Sequence, residues 1–208
     1  MQPITEPRFF VAAVLLLAAA CSRAPHSSLS DLAAKLPAHS IVLAGADLDK
    51  LRTSPLFSKL PEAFRQGSYV LAGYTGTELV TATRSGGRVE VSGTPGQGAP
   101  ADLVAHASEA PLWIVARGSA TLPLSGNLAN VNRLLHQTEF TVVAARPVGD
   151  GFELRAEGIC RGDAEAEHLE GNVRAIGSLM RFPMEVTREG STVGVRATVS
   201  ADQLAKLF

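Results

Sequence analysis

The sequence predicts an α+β fold in which helices pack on one face of an antiparallel sheet. Short apolar or alternating runs recur along the chain, and glycine-containing turns separate several of them, as in β-hairpins. Helical segments separate the hairpins, and a helix followed by a hairpin occurs three times, over residues 48–83, 127–160 and 163–199. Tandem ferredoxin-like units are the specific arrangement that this order suggests.

The elements of the first half follow from caps, prolines and glycines. Ser30 can cap a short helix that Pro37 stops, and Pro55 suits the first turn of a later helix. Residues 88–92 alternate between polar and apolar, as a half-buried strand does. The expected elements are a helix over 31–36, a strand over 40–46, a broken helical stretch over 48–64, a hairpin of strands 68–74 and 78–83, and a strand over 88–92.

The second half carries the clearest helix of the chain, expected from Asp163 to Arg181. Apolar residues recur along it at spacings of three and four, which places them on one face: Ala166, Leu169, Val173, Ile176 and Met180. Residues 149–151, Gly-Asp-Gly, indicate a tight turn between two strands. The other expected elements are helices over 101–110, 127–136 and 200–208 and strands over 112–116, 141–145, 152–160, 184–188 and 192–199.

Composition places the chain among ordinary globular proteins. Hydrophobic residues make up 46% of the chain and charged residues 19%, which argues against disorder. The net charge is −1, and the arginines are scattered with no run, whereas nucleic-acid binding usually appears as a basic patch. We therefore expect no nucleic-acid partner.

The N-terminal segment has the features of an export signal. Residues 9–20 are unbroken apolar sequence. Twelve residues rise about 18 Å as a helix, well short of the roughly 30 Å hydrocarbon core of a bilayer. The segment is therefore expected to be the apolar region of a signal peptide and not a spanning helix.

Three alanines, residues 18–20, lead directly into Cys21. This pattern resembles the lipobox of exported bacterial lipoproteins, in which small residues precede a cysteine that receives diacylglycerol. The resemblance covers residues 1–21 and implies cleavage before Cys21 and lipidation of its thiol. Two alternatives remain open: a plain secretory signal with an incidental Cys21, and a cytoplasmic chain with a buried N-terminal helix.

The resemblance also implies an organisation and a location. Residues 1–20 would be the signal peptide and 21–29 a flexible tether. Independently of the resemblance, the loop-like composition before residue 101 predicts a linker over 94–100 between a first α+β subdomain, 30–93, and a second, 101–208. The protein would be exported and anchored at the periplasmic face of a membrane. Ser22 resembles the outer-membrane sorting signal of Gram-negative lipoproteins. Lipidation of Cys21 leaves Cys160 alone, so we expect it to be a small buried side chain without a disulfide.

Several short patterns resemble metal or phosphate sites. Glu165 and His168 have the spacing of a metal-ligand pair on a helix, and residues 106/109 and 136/139 have the same spacing in reverse order. A complete site would need further ligands on facing helices, and none is visible. Glycines at 93, 96 and 98 match neither dinucleotide- nor phosphate-binding loops. We therefore expect no metal and no cofactor.

Motifs for catalysis and adhesion are equally weak. The chain has no G-x-S-x-G elbow, no S-x-x-K and no H-E-x-x-H, so no catalytic residue is assigned. Residues 161–163 spell Arg-Gly-Asp, but Gly162 suits a sharp turn and Asp163 a helix cap.

A recognition surface, if the fold has one, is expected near Trp113, Asn127 and Asn130. The asparagines, with Asn132, cluster in the opening turns of one helix, and Trp113 lies on the preceding strand. The competing interpretation places Trp113 in the core, Asn127 as a helix cap and the other asparagines in solvent.

The sequence therefore predicts a lipid-anchored envelope protein whose body is a non-enzymatic binding or scaffold domain. Its partners would be the membrane, through Cys21, and an envelope protein. The alternatives are an envelope hydrolase with catalytic residues dispersed along the chain and a carrier of a hydrophobic ligand.

Overall fold

The computed structural model describes residues 26–54, 57–60, 62–123, 129–180 and 183–200. Within these ranges, nine strands form one antiparallel sheet, so the predicted α+β class and the antiparallel sheet are confirmed. The strands are β1 Val42–Asp47, β2 Tyr69–Tyr74, β3 Leu79–Ser85, β4 Arg88–Ser92, β5 Leu112–Arg117, β6 Phe140–Val148, β7 Gly151–Ile159, β8 Met184–Glu189 and β9 Thr192–Ser200.

The described helices are short, apart from the last. They are α1 His26–Ala33, α2 Leu48–Leu51, α3 Glu62–Arg65, α4 Ala101–Ala105, α5 Ala129–Leu135 and α6 Asp163–Met180, with a 3-10 turn at Phe57–Lys59. The helix expected over 101–110 ends early, where the His106 N–H bonds to the Leu103 carbonyl. None of the helices in these ranges is long and apolar enough to cross a bilayer. Residues 1–25 and the helix expected at the C-terminus lie outside the described residues, so the expected signal and Cys21 do too.

The strand order is β4-β3-β2-β1-β5-β6-β7-β9-β8, and each pair is antiparallel. Six of these eight neighbouring pairs are consecutive strands, and short turns join four of them: β2–β3, β3–β4, β6–β7 and β8–β9. Gly149 and Gly190 adopt positive φ angles of 55° and 54° at two of these turns, where glycine has no steric penalty. The long-range pairing of β1 with β5 joins the two predicted subdomains in one sheet.

Helices cover both faces of the sheet, so the prediction that they share one face is wrong. Leu32 of α1 and Leu103 of α4 pack with Leu43 in one apolar cluster. Leu135 of α5 packs with Val42 in another. Because successive strand residues point to opposite faces, Leu43 and Val42 mark opposite sides. Strands β1 and β5 are buried on both faces, and their sequences are accordingly continuous apolar runs. Such a run does not alternate between polar and apolar residues, so the sequence does not indicate on which face of the sheet a helix packs.

The topology does not show tandem ferredoxin-like units. Each such unit contains split βαβ arrangements. Here the strands joined through helices in the first half and at α5 are direct antiparallel neighbours, β1 with β2 and β5 with β6, and among the described strands only β7-α6-β8, with β9 between the two strands, has the split order. Both halves nevertheless run helix, strand, helical segment, strand, strand. The opening helices even share a pattern, since Asp31-Leu32 in α1 matches Asp102-Leu103 in α4, and both leucines are fully buried.

The segment expected to be a linker packs against the end of α1. The N–H groups of Gly96, Gly98 and Ala99 donate to carbonyls of residues 35, 36 and 33 at 2.8–3.0 Å. A Cβ on Gly96 would collide with the Leu36 carbonyl. Gly96 therefore serves close backbone packing, and the N–H groups of Gly96 and Gly98 bond to the end of α1 and are not arranged around a phosphate.

Candidate functional site

A pocket of about 300 Å³, lined by polar and charged residues, lies where the end of α5, the end of β7 and the first turns of α6 meet. Its lining side chains can donate and accept hydrogen bonds, and three of the six are basic. The lining residues are His136, Gln137, Thr138, Arg161, Glu165 and His168. The pocket is open to solvent, because His136, Arg161, Glu165 and His168 are all exposed.

One wall of the pocket is the turn that follows α5. The N–H groups of Gln137 and Thr138 bond to carbonyls of residues 134 and 135 at 3.1 and 3.0 Å, which ends the helix. The Thr138 hydroxyl donates to the Leu135 carbonyl at 2.8 Å and lies 2.9 Å from the Thr141 hydroxyl. The hydroxyl is buried and already bonded, so Thr138 shapes the wall.

His136 is oriented by the backbone that leaves β5. Its Nδ1 lies 2.6 Å from the Gly118 carbonyl oxygen. A carbonyl can only accept, so Nδ1 carries the proton, and in the neutral ring Nε2 keeps an acceptor lone pair. A Cβ on Gly118 would collide with the Thr138 carbonyl, so glycine permits this approach of β5 to the corner.

The other wall is the first two turns of α6. Glu165 and His168 are three residues apart, so their side chains lie on the same side of the helix. Arg161 belongs to the turn just before the helix, which begins at Asp163, as predicted. The pocket therefore brings Glu165 and His168 together with His136, which belonged to a different metal-like pattern in the sequence.

This convergence does not amount to a metal centre. In the part of the chain that the structure describes, no group of three or more His, Cys, Asp or Glu side chains is placed to hold a metal ion. His106, from the third such pattern, stacks on Phe140 with ring centroids 4.6 Å apart.

The residues of the expected recognition surface are not brought together. Trp113 is 0% exposed and lies in the core, so its ring cannot contact a partner. Asn130 is exposed, and Asn127 lies outside the described residues. Asn132 has a structural role, since its amide bonds to both the N–H and the carbonyl of Leu122 at 2.8 Å.

Cys160 directly precedes Arg161 in the chain and is buried in the apolar cluster that contains Ala166 and Leu169. Burial, together with the negative charge of Glu165, raises the pKa of the Cys160 thiol. A protonated, buried thiol is a poor nucleophile, so Cys160 acts as a small packing side chain.

Comparison with known proteins gives no relative from which a function could be transferred. No family model, curated protein or solved structure matches the chain. The chemistry of the pocket is therefore assigned from its own side chains, which suit the binding of a polar or charged group.

The sequence could not reveal Gln137, Thr138 and Arg161 as neighbours of one site. The two walls are more than twenty positions apart in the chain, and the β6–β7 hairpin between them returns the chain to the same end of the sheet. Only the paired polar residues at 136/139 and 165/168 gave a sequence signal.

Proposed function

We propose that the chain is an exported lipoprotein of the cell envelope whose body is a non-enzymatic binding or scaffold domain. The lipobox-like residues before Cys21 support cleavage and lipidation there. The body begins five residues later, at His26, with a helix whose Leu32 is fully buried. The tether is therefore short, and the domain stays close to the periplasmic face of its membrane, which is the outer membrane in a Gram-negative cell.

The observation that carries the binding role is the open pocket lined by polar and charged residues. Arg161 offers positive charge and hydrogen-bond donors, His136 and His168 offer ring nitrogens, and Glu165 offers a carboxylate. An open site of this kind suits a charged loop or chain terminus of an envelope protein. It is less suited to a small molecule, because small-molecule sites are mostly enclosed and apolar.

An envelope hydrolase is the second candidate, because the pocket joins histidines to a carboxylate. The described lining contains no serine, and the Thr138 hydroxyl is buried and bonded to Leu135. A carrier of hydrophobic ligands would need an enclosed apolar cavity, whereas this pocket is open to solvent and its six lining residues are all polar or charged. Binding is therefore the better supported of the three roles.

The finer architecture is also a proposal. We infer two tandem copies of one unit, with residues of α1 to β3 in the first and α4 to β7 in the second. The shared order of elements and the matching Asp-Leu pairs support this duplication. Strand β4 then follows the first copy, and α6, β8 and β9 follow the second.

Lipidation is tested by comparing Cys21→Ala with Cys160→Ala in the producing cell. We expect the wild type and Cys160→Ala to incorporate labelled palmitate and to sediment with membranes, and Cys21→Ala to do neither. Membrane retention of Cys21→Ala with its apolar segment removed would contradict the anchor.

Binding is tested by crosslinking in intact cells and affinity purification of the full-length protein. Arg161→Ala and His168→Ala change the pocket, and Glu167→Ala is the matched control, because Glu167 is an exposed residue of the same helix that does not line the pocket. We expect a specific envelope protein to be lost from the pocket variants alone. Equal recovery with all three variants would exclude the pocket as the binding site.

A further inference from the structure

We propose that the body stands on the bilayer through the end of the sheet that carries the β3–β4 and β6–β7 turns. The pocket, at the opposite end, then points away from the membrane. This inference rests on the proposed lipid on Cys21 and adds the orientation of the domain to it. This end of the sheet contacts the surface of the lipid bilayer.

The direction of α1 shows where the tether leaves the body. Asp31, in the second turn of α1, lies 3.2 Å from Arg84 at the end of β3. Leu36, beyond the other end of α1, lies beside Gly73 near the end of β2. Since Tyr69 pairs with Arg84 and Gly73 pairs with Val80, the first turn of α1 points toward the β3–β4 turn.

The pocket lies at the other end of the same strands. His136 bonds to Gly118, which directly follows β5. The end of β5 pairs with the start of β1, Ala116 with Val42, whereas the tether end of β1 is Asp47, which pairs with Tyr69. The nine residues of β6 run from Phe140 at the pocket end to Val148 at the tether end, about 30 Å.

The tether is too short to let either end of the sheet face the membrane freely. Four residues lie between Cys21 and His26, and the five Cα–Cα steps from one to the other span at most about 18 Å. That reach is smaller than the length of β6. The lipid therefore holds the tether end near the headgroups, and the pocket end reaches the bilayer only if the sheet lies flat.

Two exposed side chains at the tether end, Val148 and Arg88, suit a lipid surface, although the β6–β7 turn also carries the exposed carboxylate of Asp150. Val148, at the β6–β7 turn, is a large hydrophobic side chain that is 49% exposed. Arg88, at the β3–β4 turn, is exposed and can meet headgroup phosphates. An apolar side chain at this height gains from partial burial in the headgroup region.

Fluorescence quenching of the lipid-anchored protein in vesicles of phosphatidylethanolamine and phosphatidylglycerol tests the orientation. Single cysteines are placed in a Cys160→Ala background and labelled with a small fluorophore, and the thiol of lipidated Cys21 does not react. Arg88→Cys and Val148→Cys report on the tether end. Thr77→Cys and Glu139→Cys, at exposed positions, report on the pocket end.

Lipids with a nitroxide on the headgroup should quench the labels at positions 88 and 148 and leave those at 77 and 139 bright. Equal quenching at both ends, or the reverse order, overturns the orientation. Flotation of the vesicles separates this result from failure of the anchor. A protein that floats with unselective quenching refutes the orientation alone, whereas a protein that does not float refutes the lipid anchor on which it rests.

Discussion

Trp113 of β5 donates its indole N–H to the hydroxyl of Tyr69 on β2, with Nε1 and the oxygen 3.0 Å apart in the core. Strand β1 lies between β5 and β2, so the indole crosses β1 to reach its partner. Gly45 is the residue of β1 beneath the ring. The lone tryptophan is therefore a brace across the centre of the sheet.

Gly45→Ala should destabilise the fold because a Cβ at this position would lie 2.5 Å from Nε1 of Trp113. The ring is fully buried and cannot move away cheaply, so we expect a loss of about 1–3 kcal/mol in the free energy of unfolding, as for overpacked cores. Chemical denaturation followed by tryptophan fluorescence measures it.

Gly171→Ala is the matched control for that substitution. Gly171 lies within α6, and an added Cβ there would meet nothing within 4 Å. Alanine is the better helix former, so this variant should gain roughly 0.5–1 kcal/mol. A Gly45→Ala protein as stable as the wild type would show that the indole does not cover Gly45.

Tyr69→Phe should leave the buried Trp113 N–H without an acceptor and cost about 1–3 kcal/mol near neutral pH. Burial raises the pKa of Tyr69 to about 12 from the ordinary value of 10.0. Between these values the unfolded chain releases the phenolic proton while the folded chain keeps it, so wild-type stability falls as the pH rises. The difference between wild type and Tyr69→Phe should therefore shrink over this interval, and a constant difference would contradict the burial of an un-ionised Tyr69.

Glu153 should make the stability of the fold depend on pH in the acid range. Its carboxylate, 15% exposed, accepts from Arg146 Nε at 2.7 Å and Arg155 Nε at 2.9 Å. These bonds, with that from Arg146 the stronger cause, lower the pKa of Glu153 below its ordinary 4.5. The stabilisation is present above the ordinary pKa and is lost as the pH falls through the lowered value. Wild-type stability should therefore fall more steeply in acid than that of Glu153→Gln, as urea titrations at several pH values can measure. Parallel curves would show that the two arginines do not act on Glu153.

Local chemistry made much of the fold predictable. The β2–β3, β6–β7 and β8–β9 hairpins lie where glycine turns separate apolar runs, and α6 begins at Asp163 as its cap and apolar face indicate. Three relationships were not predictable. A run buried on both faces, such as β1, hides which side each helix takes. The β1–β5 pairing joins distant segments, and the contact of Trp113 with Tyr69 depends on that pairing.

The candidate site was harder to predict, because its walls are single polar residues on exposed surfaces. Glu165 and His168 resemble many solvated helix positions, and nothing near them in sequence points to His136. The contact of His136 with Gly118, and the turn that brings Arg161 beside it, depend on tertiary structure.

The proposed envelope function and the proposed orientation both depend on a lipid at Cys21, and mass spectrometry of the mature N-terminus tests for that lipid most directly. The protein is extracted from membranes of the producing cell and digested with trypsin, which releases residues 21–23 as the first peptide. We predict that this peptide begins at Cys21 and carries diacylglycerol on its thiol. An unmodified Cys21, or a chain that still carries residues 9–20, would contradict the account.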